Sequence, residues 1–204
     1  MPGLFITFEG GDGAGKSTQA KLLADSLEAA GKSVVMTREP GGTPVAEQIR
    51  NVVLDLANEG LDDRTEALLF AASRAEHVAK KIRPALTQGK VVISDRFVDS
   101  SIAYQGIGRG LGIEQVRDIN NWATNGLWPD LTILLDVHPD QGLDRVEVPN
   151  RLEAAPESMH ADVRSAFLEL AGLSPERFLV IDARKPKAEI AAEVLAAVTA
   201  RLEG

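Results

Sequence analysis

Residues 10–18 read Gly10-Gly11-Asp12-Gly13-Ala14-Gly15-Lys16-Ser17-Thr18: a glycine, four further residues, and then Gly-Lys-Ser. This is the spacing of a phosphate-binding P-loop, whose glycines let successive backbone N–H groups face one centre. The apolar run Leu4–Phe8 before it predicts a buried strand, and leucines after it recur at helical spacing. The motif requires this strand–turn–helix context, because the helix N-terminus adds partial positive charge. We therefore predict a nucleoside triphosphate site, with Lys16 on the terminal phosphates and Ser17 on Mg²⁺.

The composition restricts the class of protein and its partners. Hydrophobic residues make up 44% and charged residues 25%, which is typical of a globular chain rather than a disordered one. The net charge of −8 argues against nucleic-acid or anionic-membrane partners, since both favour a basic surface. The absence of cysteine excludes disulfides and zinc–thiolate sites and fits a reducing compartment. We expect a cytoplasmic protein that binds neither nucleic acid nor membrane.

Strand and helix patterns alternate along the rest of the chain. This alternation predicts an α/β protein with βαβ units, in which five parallel strands are flanked by helices on both faces. We expect one P-loop kinase domain over residues 1–204, with a mobile lid at about 139–156, the least regular and most polar stretch. The further strands are predicted at Ser33–Thr37, Val91–Asp95, Leu131–Asp136 and Phe178–Asp182.

Helix boundaries are marked by capping residues and by one proline. Thr43 should cap a helix over Val45 to Leu54, and Asp62 should cap a longer helix that Pro84 kinks or restarts. Further helices are predicted at Gln19–Ala30 and Ile113–Thr124, with a closing helix marked by Ile190, Val194, Leu195, Val198 and Leu202.

Asp95 ends the third predicted strand and is followed at once by Arg96. A carboxylate at this position can hold Mg²⁺ or its water, and an arginine beside the metal suits a second phosphate group, the acceptor. The Asn-Lys-X-Asp signature of guanine-reading switches is absent from the chain. These features favour a kinase over a hydrolase. The alternative is a surface ion pair after a strand.

Five segments of the chain carry a family resemblance: Phe8–Thr18, Arg38-Glu39-Pro40-Gly41-Gly42-Thr43, Glu66–His77, Asp95-Arg96-Phe97 and Ser100–Gly106. Together they resemble bacterial thymidylate kinases, and the similarity runs from about Leu4 to Asp182. The resemblance implies a P-loop kinase fold, transfer of the γ-phosphoryl group of ATP to dTMP with Mg²⁺, and a homodimer packed through helices.

The resemblance also implies a role for each matching position at the base and sugar. Phe70 would stack on thymine, and Arg74, four residues later on the same helix face, would donate to a ring carbonyl. Ser101 and Gln105 would complete the base edge. Tyr104 would pack against the sugar and resist a 2′-hydroxyl group.

Other matching positions fall on the phosphates and the metal. Asp12 would accept from the 3′-hydroxyl of the acceptor, while Arg38 and Arg96 would hold its phosphate. Glu9 and Asp95 would organise the metal side.

The predicted lid supplies the last catalytic residues. In some members of this family an arginine within the P-loop reaches the transferred phosphoryl group, and Gly13 and Ala14 cannot do so. Members that lack it carry lid arginines, for which the candidates here are Arg145 and Arg151. The chain departs from the family in a shorter lid, whose Asp-Arg-X-Glu ending reads Asn-Arg-Leu-Glu at residues 150–153.

Two other functions stay open at this point. One is a different small kinase, acting on dUMP or a deoxynucleoside; Phe70, Arg74 and Tyr104 argue against it. The other is a switch that binds ATP without turning it over. Lys16, Asp95 and the converging arginines argue against a switch, because a binder needs no transition-state charges.

Overall fold

The computed structural model describes residues 3–138, 140 and 150–203. Its sheet has five parallel strands, as the sequence predicts, and the structure shows their order to be β2-β3-β1-β4-β5. The last three strands have the predicted bounds, and the first two begin and end one residue later than expected. The strands are β1 (Phe5–Glu9), β2 (Val34–Arg38), β3 (Val91–Asp95), β4 (Leu131–Asp136) and β5 (Phe178–Asp182).

Helices connect the strands and cover both faces of the sheet. They are α1 (Lys16–Ala29), α2 (Pro44–Leu54), α3 (Asp63–His77), α4 (Arg83–Thr87), α5 (Val98–Ser101), α6 (Ile113–Thr124), α7 (Glu157–Leu173) and α8 (Lys187–Glu203). A short 3₁₀ helix covers Leu56–Asn58, and π-helical turns cover Val78–Ile82 and Ile102–Gly108. Helix α7 is absent from the sequence prediction, although Met159, Val163, Phe167 and Leu170 are buried at helical spacing within it.

The two helix layers produce two hydrophobic clusters, one on each face of the sheet. Phe5 belongs to one cluster with Phe97 and Phe167, whereas Ile6 and Phe8 belong to the other with residues of α1 and α8. This division follows from the alternation of side chains along a strand. Since both faces are covered, all five residues of β1 are buried.

The predicted helix signals are confirmed in the structure. Thr43 Oγ1 accepts a hydrogen bond from the Ala46 backbone N–H at 3.3 Å, and Asp62 Oδ1 accepts from Thr65 N–H at 3.0 Å. Before Pro84 the helix passes through the π-helical turn and restarts as α4 at Arg83. A proline lacks the N–H that a continuous helix needs, so the hydrogen-bond pattern changes there.

The predicted lid is only partly described. Residues 139 and 141–149 lie outside the described residues, and with them the predicted catalytic residue Arg145. None of the helices in the described part of the chain is both long and apolar enough to cross a membrane.

Candidate active site

A cavity of about 700 Å³ opens at the edge of the sheet where β1, β2 and β3 end. Ligands of open parallel sheets bind at this edge, because the loops that follow the strands converge there. Most of the predicted site residues line it: Asp12, Gly13, Ala14, Gly15, Lys16, Ser17, Thr18, Arg38, Phe70, Arg74, Asp95, Arg96, Ser101, Tyr104 and Gln105. Glu9 and Arg151 are not among the lining residues.

The P-loop depends on glycine at its first position. Gly10 has φ +130°, and a Cβ atom there would lie 2.3 Å from the Leu135 carbonyl oxygen. Lys16 folds back over the loop, and its Nζ donates to the carbonyl oxygens of Gly10 at 3.1 Å and Gly11 at 2.7 Å. Burial, followed by the nearby Arg96 charge, lowers the pKa of Lys16 to about 8.

Ser17 and Asp95 are the pair that fits a Mg²⁺ ion. Ser17 Oγ donates to Asp95 Oδ2 at 2.5 Å, and both side chains line the cavity. Hydroxyl and carboxylate oxygens suit Mg²⁺, which usually keeps several water ligands and needs only one or two from the protein. Among the described residues no cluster of three or more His, Cys, Asp or Glu side chains offers a site that relies on protein ligands alone.

Asp12, Arg96 and Tyr104 form a hydrogen-bonded group in the middle of the cavity. Arg96 Nη2 donates to Asp12 Oδ1 at 2.5 Å, and the Tyr104 hydroxyl donates to Asp12 Oδ2 at 2.9 Å. Burial alone would raise the pKa of Asp12, but Arg96, Lys16 and these hydrogen bonds outweigh it and lower the pKa to about 2. Burial raises the pKa of Tyr104, so its hydroxyl remains a donor. Asp12 is therefore an ionised acceptor that faces the cavity.

The structure places Glu9, which is predicted to organise the metal side, outside the cavity lining. Glu9 is fully buried, and its carboxyl accepts from the Phe97 backbone N–H at 2.8 Å and from Ser100 Oγ at 2.6 Å. Burial and the neighbouring Asp99 charge raise its pKa to about 8. In this arrangement the enclosed carboxyl orients the backbone after Arg96 and lies outside the cavity lining that contains Ser17 and Asp95. The motif placed Glu9 beside the P-loop but did not show which way its side chain turns.

Arg74 is held rigidly at the other end of the cavity. Its Nε donates to Glu39 Oε2 at 2.7 Å, Nη1 to Ser101 Oγ at 3.0 Å and to Asn120 Oδ1, and Nη2 to the Phe97 carbonyl at 3.0 Å. The side chain is almost completely buried, yet it lines the cavity. Four of its five N–H groups are thus committed, which leaves one for a ligand.

Two of these partners have no role in the sequence prediction. Glu39 accepts from Arg74 and also contacts His77 Nδ1 at 2.9 Å, and His77 Nε2 lies 2.6 Å from Thr37 Oγ1. His77 is therefore structural. Glu39 lies within the quoted Arg-Glu-Pro-Gly-Gly-Thr segment, which was a usable signal, whereas Asn120 lies on α6 with no motif around it.

The structure also places Arg151, which is predicted to reach the transferred phosphoryl group, outside the cavity lining. Its Nη2 donates to Glu66 Oε2 at 2.6 Å and its Nε to the Val53 carbonyl at 3.0 Å, and its side chain is 7% exposed. The guanidinium is thus committed to α2 and α3 and does not face the phosphate end of the cavity. Arg151 takes this position because the buried Glu66 carboxylate needs cationic partners. From the sequence pattern alone, Glu66 would be placed on a polar helix face.

Two groups of cavity residues were missed from the sequence. Arg50 on α2 lines the cavity and donates from Nη1 to the Pro40 carbonyl at 2.8 Å, beside Arg38, which pairs with Glu47 at 2.9 Å. The segment after β5 forms the opposite wall beyond the P-loop; its lining residues are Ala183, Arg184, Lys185, Lys187 and Ile190. Nothing in the sequence marks either group, because neither carries a motif.

Comparisons with known proteins agree with this geometry. The chain is 49% identical over 208 residues to a thymidylate kinase of Lactobacillus helveticus, which covers 99% of this chain and 98% of that protein. It is 53% identical over 197 residues to a thymidylate kinase of Leifsonia xyli, which covers 95% of this chain and 93% of that protein. The solved thymidylate kinase of Ehrlichia chaffeensis superposes with a TM-score of 0.80 at 37% identity, and the match covers 97% of this chain and 99% of that one. The sequence profile described as Thymidylate kinase matches residues 8–194, and the chain belongs to this family.

Proposed function

We propose that the chain transfers the γ-phosphoryl group of ATP to dTMP and releases dTDP and ADP. The observation that carries this proposal is the single cavity in which the P-loop and the Phe70–Arg74 helix face are joined by Asp12, Arg96 and Tyr104. A kinase needs both substrates in one enclosed space with their phosphates in line. A switch protein that only binds ATP needs no second pocket. We also propose that residues 1–204 form one domain.

The donor end of the proposed reaction is the P-loop. Backbone N–H groups and Lys16 would hold the phosphates of ATP, and Ser17 and Asp95 would hold Mg²⁺. When bound, the metal would neutralise charge on the phosphates. Lys16 contacts only carbonyl oxygens among the described residues, so an incoming phosphate would restore full charge to its ammonium group.

The acceptor end divides into phosphate, sugar and base contacts. Arg38 and Arg96, with Arg50 beside them, would hold the phosphate of dTMP, and Asp12 would accept from the 3′-hydroxyl. Tyr104 would pack on the sugar at the place where a ribose would carry its 2′-hydroxyl.

The base contacts would come from α3 and the π-helical turn after α5. Phe70 would stack on thymine, and the free N–H of Arg74 would donate to a ring carbonyl, with Ser101 and Gln105 at the remaining edge. A ring carbonyl is present in thymine where cytosine carries an amino group, so Arg74 would reject cytosine.

A panel of nucleoside monophosphates tests this assignment. ADP release with ATP and Mg²⁺ should be fastest for dTMP, and omission of Mg²⁺ should abolish it. The nearest competitor is dUMP, because one missing methyl group changes binding by only about 1–3 kcal/mol. Equal or better turnover of AMP, CMP or shikimate would contradict the proposal, as would ATP binding without turnover of any acceptor.

We also propose that the protein is a cytoplasmic homodimer. Apolar side chains stand exposed on neighbouring helices, with Leu68 on α3 at 54% and Trp122 on α6 at 83% exposure, and such residues suit a helix-packed interface. Sedimentation equilibrium should give twice the chain mass, and Trp122→Ser should shift the equilibrium towards the monomer. Cell fractionation tests the location, for which the absence of cysteine is the supporting feature.

A further inference from the structure

Glu66 is a fully buried carboxylate that no part of the proposed chemistry uses. It lies on α3, one turn before Phe70. Its Oε1 accepts from Gln105 Nε2 at 2.9 Å, and its Oε2 accepts from Arg109 Nη2 at 3.1 Å and Arg151 Nη2 at 2.6 Å. A buried carboxylate is tolerated only when its oxygens are satisfied in this way. Glu66 thus connects three separate segments of the chain at one point.

The contact with Gln105 fixes the orientation of a carboxamide in the cavity wall. Because a carboxylate only accepts hydrogen bonds, the NH₂ group of Gln105 must face Glu66. Its Oε1 then lies on the other side of the amide, and it accepts no hydrogen bond from any residue that the structure describes. Gln105 lines the cavity, so this oxygen is a free acceptor for a ligand N–H.

The contact with Arg151 fixes the segment that re-enters the described structure at residue 150. The Arg151 backbone N–H donates to the Leu54 carbonyl at 3.2 Å, and Leu152 packs in a cluster with Val53 and Phe70. Residues 150, 152 and 153 line the cavity. The segment 150–153 therefore forms part of the wall beside Phe70, and the salt bridge to Glu66 holds it there.

Resting on the dTMP kinase function proposed above, we propose that Glu66 is a positioning residue for base recognition. One of its oxygens turns Gln105 so that the amide oxygen accepts from the ring N3–H of thymine. The other holds Arg151 and so keeps segment 150–153 against Phe70. Neutral cytosine presents an acceptor at N3, so a fixed amide oxygen disfavours it. Glu66 itself touches no substrate.

The variant Glu66→Gln keeps the size of the side chain but offers an NH₂ group to its partners. Gln105 is then free to turn, and Arg151 loses its anion. The KM for dTMP should rise about tenfold while kcat changes less than about threefold, and the preference for dTMP over dCMP in kcat/KM should fall about tenfold. The KM for ATP should not change.

Asp63→Asn is the matched control. Asp63 lies on the same helix and contacts Arg109 at 3.5 Å, but it is half exposed and touches neither Gln105 nor Arg151. All kinetic constants of this variant should stay within about twofold of the wild type. If Glu66→Gln keeps the dTMP preference, or if kcat falls with both KM values unchanged, the proposal is overturned, since a purely structural loss produces that pattern.

Amide hydrogen exchange of the ligand-free protein tests the second contact without turnover. The Arg151 N–H is protected by Leu54, so exchange in residues 150–156 should be about tenfold faster in Glu66→Gln and unchanged in Asp63→Asn. Equal exchange in all three proteins overturns the role of Glu66. A wild type that is inactive on dTMP overturns the proposed function instead, a result that the kinetic panel gives separately.

A second variant covers the case in which Glu66→Gln fails to fold. Arg151→Gln leaves the Glu66–Gln105 contact in place. It should accelerate exchange in residues 150–156 and keep the preference for dTMP over dCMP. A loss of that preference in Arg151→Gln would contradict the assignment of base selectivity to the Gln105 side of Glu66.

Discussion

The phosphate end and the base end of the cavity differ in how fully their cations are paired with carboxylates. At the phosphate end Lys16 and Arg50 hydrogen-bond only to backbone carbonyls among the described residues, whereas Arg38 and Arg96 pair with Glu47 and Asp12. At the base end Arg74 and Arg151 each bond to a buried carboxylate. The first arrangement attracts anions, whereas the second forms a rigid frame around a neutral ring. A cation at the cavity without a carboxylate partner is therefore the stronger candidate for a contact with phosphate.

The largest expected effect is at Lys16, the unpaired charge of the P-loop. Lys16→Ala should lower kcat by about 10³-fold or more, because this ammonium group stabilises charge on the migrating phosphoryl group. Circular dichroism should show an intact fold. Lys21→Ala, on the same helix but paired with Asp25 at the surface, should leave kcat unchanged. Near-normal turnover of Lys16→Ala would show that the phosphate end does not serve catalysis.

The next effect is on stability, at the base end. Arg74→Lys cannot reproduce the fork that contacts Glu39, Ser101, Asn120 and Phe97, and it leaves buried acceptors unpaired. The free energy of unfolding should fall by about 3–5 kcal/mol in urea titration. Arg117→Lys, in an exposed pair with Glu114, should change it by less than about 0.5 kcal/mol. If both variants are equally stable, the base end is not the rigid frame described above.

A variant of Arg50 tests whether a cation without a carboxylate partner binds the phosphate of dTMP. Arg50→Gln should raise the KM for dTMP about tenfold with little change in kcat, because it removes a phosphate contact made before and during transfer. Arg64→Gln removes the same charge from an exposed position on α3 and should have no effect. The difference between the two variants should shrink in high salt, where exposed charges are screened. An unchanged KM in Arg50→Gln would assign the phosphate to Arg38 and Arg96 alone.

The last effect is on the pH dependence of stability, at the buried Glu9. Its pKa is raised from 4.5 to about 8 in the folded chain. At a pH between these two values, Glu9 has lost its proton in the unfolded chain and keeps it in the folded chain. The contribution of Glu9 to stability is then fully present below about pH 4.5 and falls as the pH rises to about 8. In Glu9→Gln this dependence should disappear. Unfolding free energies of both proteins from pH 5 to 9 give the comparison, and two parallel curves would contradict it.

Local sequence was sufficient for most of the fold. Each of the correct predictions depends on residues only a few positions apart. They are the P-loop spacing, the apolar runs of β3, β4 and β5, and the helix caps at Thr43 and Asp62. Their physical cause is backbone geometry and periodic burial, which a single sequence displays directly. Helix α7 also shows periodic burial of its apolar residues. That spacing is visible in the sequence, although the prediction omitted the helix.

What the sequence by itself determined is the P-loop, the alternation of strands and helices, and the positions that reach one cavity. Only the tertiary structure decided what each buried charge contacts: Arg74 with Glu39, 35 positions away, and Arg151 with Glu66, 85 positions away. In the sequence Glu66 and Arg151 look like solvated charges on a helix and a loop. Their burial depends on how α2, α3 and the segment from residue 150 pack together, and a buried charge must then find its partner within that packing.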